Sequence, residues 1–363
     1  MSSLTDTLSK LSLSDDNKKS SLGQYYTTNP AYILQGVLIP SGCTIIEPFA
    51  GGCHLLSFKE ANDYNFELYD IDPRNSRVIQ RDTILNPPSY AGKFVITNPP
   101  YLARNKSDEK KYFDKYNVND LYKCFIKQLL KAGDYPNGGV LIIPLNFWCS
   151  IRKADIELRR QFLDKYDIIF MNIFEEDVFV DTSYTVCCFQ FENKTNITKL
   201  STDGNIKINI FPQSRGIEPF NVKLTASNNY MIGGELYLLP VNNNYKITRL
   251  THKNKNEKNT NILVKCIDDY THINFKYVED EKEIYIDTTA NCSARSYLTL
   301  IITPCIDENK QREIVSRANE FLSINRKKYN SLFLTNYRES REAARKRISF
   351  DLVYDITKYL LSN

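Results

Sequence analysis

The chain has 363 residues, of which 42% are hydrophobic and 25% charged, and a net charge of +4. This is the composition of a globular protein with one large or two ordinary domains, and no apolar run approaches the roughly 20 residues that a membrane-spanning helix needs. Nine cysteines without a CxxC pair and three scattered histidines, His54, His252 and His272, argue against a disulfide framework or a zinc site and for a reducing compartment.

Residues 1–20 are polar and Ser-rich and read as a flexible lead-in; they lack the apolar core of a signal peptide. The first strand candidate, Thr44–Ile46, runs into "EPFAGGCHLL". Small residues at Ala50, Gly51 and Gly52, between a strand and a helix, mark the carboxyl end of an α/β strand, where nucleotide-like ligands bind. The second strand, Phe66–Tyr69, ends in "DIDP". An acid leaving strand two is the usual partner of ribose hydroxyls; Asp70 is the candidate and Asp72 the second choice. A third apolar stretch delivers Asp82. The fourth, Phe94–Thr97, ends in "TNPPY", where two consecutive prolines stop the hydrogen-bond ladder.

Leu121, Phe125 and Leu129, with Tyr122, Ile126 and Leu130, have helical spacing. Gly138-Gly139 lead into strand candidates Val140–Ile143, Ile168–Asn172 and Thr185–Phe191. The alternation predicts a doubly wound, mostly parallel α/β sheet. Past Asn193 the pattern changes. From Ile206 to about Pro304, "IKINIF", "ELYLLPV", "NILVKCI" and "EIYIDTT" suggest strands of a second, β-containing domain, and Asp307 to Ser362 reads as helical. Between Lys310 and Arg347, eleven basic residues meet four acids, a local +7 that leaves −3 for the rest. Such a stretch suits phosphate contacts, with Arg326–Arg347 the expected face, or else a solvated helix side.

The order of these stretches resembles that of S-adenosylmethionine-dependent amino-methyltransferases: a Gly-containing turn, two acids, then Asn-Pro-Pro-Tyr after strand four. "GQYYTTNPAYI", Gly23–Ile33, resembles the segment that covers the cofactor's methionine end in adenine DNA methyltransferases. "NDLYKCFIKQLLKAGDYPNGGVLIIPLNFWCS" and "EEDVFVDTSYTVCCFQF" are similar to that family's later motifs. The resemblance covers about residues 20–195, in the motif order of the gamma class, of which the Taq adenine methyltransferase is the type member.

The resemblance implies a Rossmann-like methyltransferase sheet over residues 21–195, a target-recognition domain with a helical C-terminus over 196–363, and S-adenosyl-L-methionine as cofactor. The cofactor would meet Tyr25, Tyr26, Thr27, Glu47, Pro48, Phe49, Ala50, Gly51, Asp70, Ile71, Asp82, Thr83 and Asn98, with Asp82 at its adenine amine. Catalysis would fall to Asn98, Pro99, Pro100, Tyr101 and Phe179, without a metal. The Asn98 side-chain oxygen and the Pro99 carbonyl would accept the two N–H bonds of an exocyclic amine, leaving its nitrogen lone pair to attack the methyl group. Tyr101 and Phe179 would stack on an extruded base.

One departure stands out: in that family the turn usually reads Ala-Gly-any-Gly, and here it is Ala50-Gly51-Gly52-Cys53, so Cys53 occupies the second glycine position, which strains the backbone if that position needs positive φ. The expected activity is N6-methylation of a flipped adenine in double-stranded DNA, by a cytoplasmic monomer in a bacterial cell or a virus-infected host. A cognate restriction endonuclease is a partner of such enzymes. The same chemistry on an RNA amine or a protein glutamine, and a cofactor-binding fold that only binds nucleic acid, are the competing readings.

Overall fold

The computed structural model describes residues 27, 29–57, 64–179, 184–195, 204–241, 243–268, 272–334, 338–340 and 343–362. The described residues up to Leu145 and from Lys153 to Lys223 form one compact unit; Asn146–Arg152 and Leu224 onward form a second.

The first unit is built on a nine-stranded sheet. Its strands are β1 (Thr44–Glu47), β2 (Asn65–Asp70), β3 (Ile79–Gln80), β4 (Phe94–Thr97), β5 (Gly138–Pro144), β6 (Tyr166–Phe174), β7 (Val186–Asn193), β8 (Ile206–Phe211) and β9 (Phe220–Val222), in the order β3-β2-β1-β4-β5-β7-β6-β8-β9. From β3 to β5 every pairing is parallel. β7 inserts antiparallel between β5 and β6.

β4 and β5 are buried along their whole length, as continuous apolar runs in a parallel sheet should be. The paired glycines that open β5 have a steric reason. A Cβ on Gly139 would lie 2.3 Å from the Val95 carbonyl oxygen, and one on Gly138 2.7 Å from that of Phe191. The helices of this unit are α1 (Pro30–Ile33), α2 (Lys111–Tyr116), α3 (Leu121–Leu129) and, after the short α4 (Asn146–Cys149) that belongs to the second unit, α5 (Lys153–Lys165). α3 is buried on nearly every side, Lys123 included. The Lys123 ammonium meets Asp155 Oδ1 at 2.6 Å and Asn119 Oδ1 at 2.9 Å, so its charge is matched where water is excluded.

The second unit holds a four-stranded antiparallel sheet, β10 (Lys246–Arg249), β11 (Ile262–Lys265), β13 (Asn274–Tyr277) and β14 (Tyr297–Thr303), in the order β10-β14-β11-β13. A smaller sheet joins β12 (Ile267–Asp268), β15 (Arg338–Ser340) and β16 (Ala343–Arg347), with β16 in the centre. α6 (Glu308–Tyr329) and α7 (Phe350–Ser362) complete it. Among the described residues, no helix is long and apolar enough to cross a membrane.

The fold class is the one read from the sequence, and four details differ. The first unit runs to Lys223 instead of ending near residue 195, because "IKINIF" pairs in parallel with β6 as β8 and so extends the first sheet. "ELYLLPV" contains a 3-10 turn, Gly234–Tyr237, and no strand. "EIYIDTT" contributes only an isolated bridge from Thr251 to Asp287. Arg338–Arg347 lies within the stretch expected to be helical, yet it forms the antiparallel pair β15–β16, because pairing with β12 outweighs the helix propensity of Glu, Ala, Lys and Arg.

That last difference changes the basic stretch. Lys346, central in its sheet, is buried. Arg326 reaches the Ile273 carbonyl at 3.0 Å and Asp268 Oδ1 at 3.5 Å, and Lys328 pairs with Glu235 at 3.1 Å. Lys346 and Arg326 thus serve the packing of the second unit, whereas Lys328, with its side chain 62% exposed, stays at the surface. The side chain of Arg345 lies outside the described residues.

Candidate active site

The chain leaves β1 towards β2 and β3 on one side, then returns to β4 and β5 on the other. Two neighbouring strands whose connections diverge open a crevice at their carboxyl ends, and an α/β sheet binds ligands there. A cavity of about 300 Å³ lies at this point, lined from the ends of β1 (Glu47), β2 (Asp70) and β4 (Asn98) and from the turns that follow them.

The turn after β1 is stitched to the end of β2. The Ala50 amide donates to the Tyr69 carbonyl at 2.8 Å. The Gly51 amide donates to Asp70 Oδ2 and the Asp72 amide to Oδ1, both at 2.8 Å. Gly51 has φ of +48° and Cys53 of +64°. The second glycine position therefore does need the left-handed region, and cysteine occupies it at a cost of about 1–2 kcal/mol. The Cys53 side chain is buried within the unit.

Asp70, expected to hold a ribose, thus also fixes the glycine turn, and one lone pair on each oxygen remains for a ligand. Burial raises its pKa, and the two amides only partly offset that. Glu47 is more extreme. It is 2% exposed, and among the described residues its Oε2 has no hydrogen-bond partner. Burial, then the charge of Asp70, pushes its pKa well above the ordinary carboxylate value. Burying a carboxyl oxygen without a partner is costly, so a ligand donor or cation in the cavity is the natural complement.

On the third side, Thr83 Oγ1 donates to the Pro48 carbonyl at 2.8 Å and ties the Asp82 turn to the β1 turn. Asp82 accepts from the Leu85 amide at 3.0 Å and from the Tyr112 hydroxyl at 3.1 Å. At the end of β4 the half-buried Asn98 and Pro100 face the cavity.

Of the residues singled out from sequence, Thr27, Glu47, Phe49, Ala50, Gly51, Asp70, Ile71, Asp82, Thr83, Asn98 and Pro100 come together on this one cavity. Pro48 and Pro99 are not among its lining residues. Tyr25 and Tyr26 lie outside the described residues. Tyr101 and Phe179 do not line it and are 3% and 2% exposed. Tyr101 packs edge-on against Tyr122, with ring centroids 6.2 Å apart, so it offers no open stacking face in this conformation. Its hydroxyl lies 2.7 Å from the Ile142 carbonyl oxygen and within hydrogen-bond reach of Asn98 Oδ1.

Sequence reasoning missed Ser107, Asp108 and Glu109, which close the cavity from the segment between β4 and α2, and Tyr112, which closes it from α2 itself. Their only signal was position, directly after the strand-ending "TNPPY". They complete an unusual lining: five carboxylates (Glu47, Asp70, Asp82, Asp108 and Glu109) and, among the described residues, no lysine or arginine. Such a cavity favours a cationic ligand. Among the described residues no group of three or more His, Cys, Asp or Glu is placed to hold a metal ion.

Residues 57–179, about a third of the chain, match the family described as Eco57I restriction-modification methylase. No curated protein matches the chain. Among solved structures, it is similar to the methyltransferase subunit of a type I restriction-modification system from Streptococcus thermophilus, at 14% identity and a TM-score of 0.39, over 60% of this chain and 52% of that one. It is similar to the M protein of the type I restriction enzyme EcoKI, at 13% identity and a TM-score of 0.37, over 53% and 49%. It is also similar to the type IIL restriction-modification enzyme MmeI in complex with DNA, at 12% and 0.36, over 52% and 35%. The chain spans about half the length, or less, of these structures.

Proposed function

We propose that the first unit is an S-adenosylmethionine-dependent methyltransferase of the restriction-modification kind, acting on the N6 amine of an adenine extruded from duplex DNA. The observation that carries this reading is that Asn98, an amide acceptor at the end of β4, opens onto the same cavity as Glu47, Asp70 and Asp82. The match of residues 57–179 to a methylase family supports it.

The residues present fit the cofactor. Its sulfonium and ammonium groups supply positive charge that suits a lining with Asp70, Asp82, Asp108 and Glu109 and, among the described residues, no lysine or arginine, and the partnerless Oε2 of Glu47 calls for a hydrogen-bond donor. Asp70 has lone pairs left for ribose hydroxyls, and Asp82 for the adenine amine. Ile71, Ile84, Leu102 and Leu121 provide apolar walls. When bound, the cofactor supplies an electrophilic methyl group on a cationic sulfur. The task of the chain is then to orient an amine. Asn98 Oδ1 accepts one N–H bond and the Pro99 carbonyl the other, which aims the nitrogen lone pair into the cavity. The Asn98 oxygen has the Tyr101 hydroxyl within reach of one lone pair, and its second lone pair is left for the incoming amine.

An adenine in a duplex is stacked and paired, so it must leave the helix to reach Asn98, at a cost of a few kcal/mol. Tyr101 can contribute a stacking face only by swinging away from Tyr122. The second unit, which apart from Asn146–Arg152 lies outside the matched family region, is proposed to choose the DNA sequence.

Transfer of tritium from labelled cofactor to duplex DNA, RNA and protein in parallel tests the reading. Label in duplex DNA alone, recovered as N6-methyladenine, is the expected result. Label in RNA or on glutamine would redirect the substrate class, and no transfer to any of them would reject the enzyme.

A further inference from the structure

α2 is a clamp on the Asp82 turn. Its short sequence, "KYFDKY", puts Tyr112 and Tyr116 four residues apart and so on one face. Phe113 is fully buried and anchors the helix. Three side chains then reach across to residues 82–85. Lys115 Nζ donates to the Leu85 carbonyl at 2.5 Å, and the Tyr116 hydroxyl to the Ile84 carbonyl at 2.7 Å. Both hold backbone. Tyr112 alone addresses a side chain: its hydroxyl donates to Asp82 Oδ2 at 3.1 Å, while the Leu85 amide holds Oδ1 at 3.0 Å. Of these three residues, only Tyr112 lines the cavity.

We propose that Tyr112 is a positioning residue that sets ligand specificity: by pinning Oδ2 of Asp82 it fixes the carboxylate as an acceptor for the exocyclic amine of a 6-aminopurine, and so rejects a 6-oxopurine. This rests on the reading of the cavity as an S-adenosylmethionine site.

The physical case has three parts. A carboxylate in a turn can rotate about its terminal torsion, and one hydrogen bond to each oxygen removes that freedom. Each oxygen then keeps one lone pair in a set direction, which an amine N–H can meet and a carbonyl oxygen cannot. The Tyr112 hydroxyl stays a donor at ordinary pH, because burial and the neighbouring Asp82 charge both raise its pKa. A site built to accept from an amine discriminates against an analogue lacking it, since the acceptor is left unpaired.

The test is calorimetric binding of two thioethers, S-adenosylhomocysteine and S-inosylhomocysteine, to the full chain and to two variants. The parent should prefer the adenosyl compound about tenfold or more, the scale of one good hydrogen bond. Tyr112→Phe should weaken the adenosyl compound by about three- to tenfold and leave the inosyl compound nearly unchanged, so the preference collapses. Tyr116→Phe removes a clamp contact without touching Asp82, and should keep the preference. Equal weakening of both ligands by Tyr112→Phe, or a preference that survives it, overturns the proposal. Binding of both ligands by the parent without preference overturns it while leaving the cofactor site in place. Binding of neither by the parent overturns the cofactor site itself.

Discussion

The Tyr101 hydroxyl sits between Asn98 Oδ1 and the Ile142 carbonyl, and its single proton can go to only one of them. The residue expected to cradle a base is therefore a prop for the residue expected to accept its amine. Replacing Tyr101 with phenylalanine keeps the ring and removes only the hydroxyl donor at Asn98. Turnover should stay within a few-fold of the parent and cofactor affinity should not change. Stability should fall by about 1 kcal/mol, from the hydrogen bond lost at a buried site. Tyr101→Ala removes the ring as well and should lose most turnover. The proposed role of the ring fails if a methylation assay finds alanine as active as phenylalanine.

Asn98 is half-buried on the cavity wall and can act on the amine through its side-chain oxygen. Asn98→Ala should reduce kcat by two or more orders of magnitude, the usual effect of losing one pre-organised polar partner. The dissociation constant for S-adenosylmethionine should change little. Near-normal turnover would remove Asn98 from the chemistry, and a lost cofactor affinity would make it a binding residue instead.

A cavity lined by Asp70, Asp82, Asp108 and Glu109 besides Glu47 should distinguish the cationic cofactor from its neutral thioether product. Asp108 and Glu109 are exposed at its edge, and Lys111 pairs with Glu109 in a surface contact of small weight. A unit charge about 8 Å away at an effective dielectric constant of 20 is worth about 2 kcal/mol before screening. Combining Asp108→Asn with Glu109→Gln should weaken S-adenosylmethionine binding by about threefold or more and flatten its salt dependence. S-adenosylhomocysteine binding should stay as it was. Titrations in which both ligands weaken alike would assign these residues to shape rather than charge.

Glu47 gives a pH dependence with a definite sign. Its pKa in the folded chain lies well above the unfolded value near 4.5, so the folded state holds a proton that the unfolded state releases. Its contribution to stability is fully present below the unfolded value and is lost as pH rises through the folded one. Glu47→Gln should therefore melt at a temperature less sensitive to pH than the parent, with the gap widening above pH 5. Asp120, pushed up to about 7 by burial, titrates in both proteins and cancels in the difference. Parallel melting curves for ligand-free parent and variant would show that Glu47 does not titrate in this way.

Much of the site could be read from local pattern, because its residues sit at strand ends and strands announce themselves. Phe94–Thr97 is apolar and stops at two prolines, and Asp70 closes another apolar run. The left-handed conformation at Cys53 was foreshadowed only by the family's glycine at that position. The alternation of apolar strands with helical patterns also pointed to a mostly parallel sheet, since strands joined by helical crossovers run parallel and are covered on both faces. What the sequence could not carry is which groups meet. Tyr101 faces Tyr122 and Asn98 rather than the cavity, and Tyr112 reaches back about thirty residues to Asp82. "IKINIF" joins the first sheet, and "AARKR" becomes the central strand of a small one with Lys346 buried in it. These outcomes depend on long-range pairing and on side-chain direction. Composition and spacing are nearly the same for an exposed aromatic and a buried one, or for a basic helix and a basic strand, so only the tertiary contacts separate them.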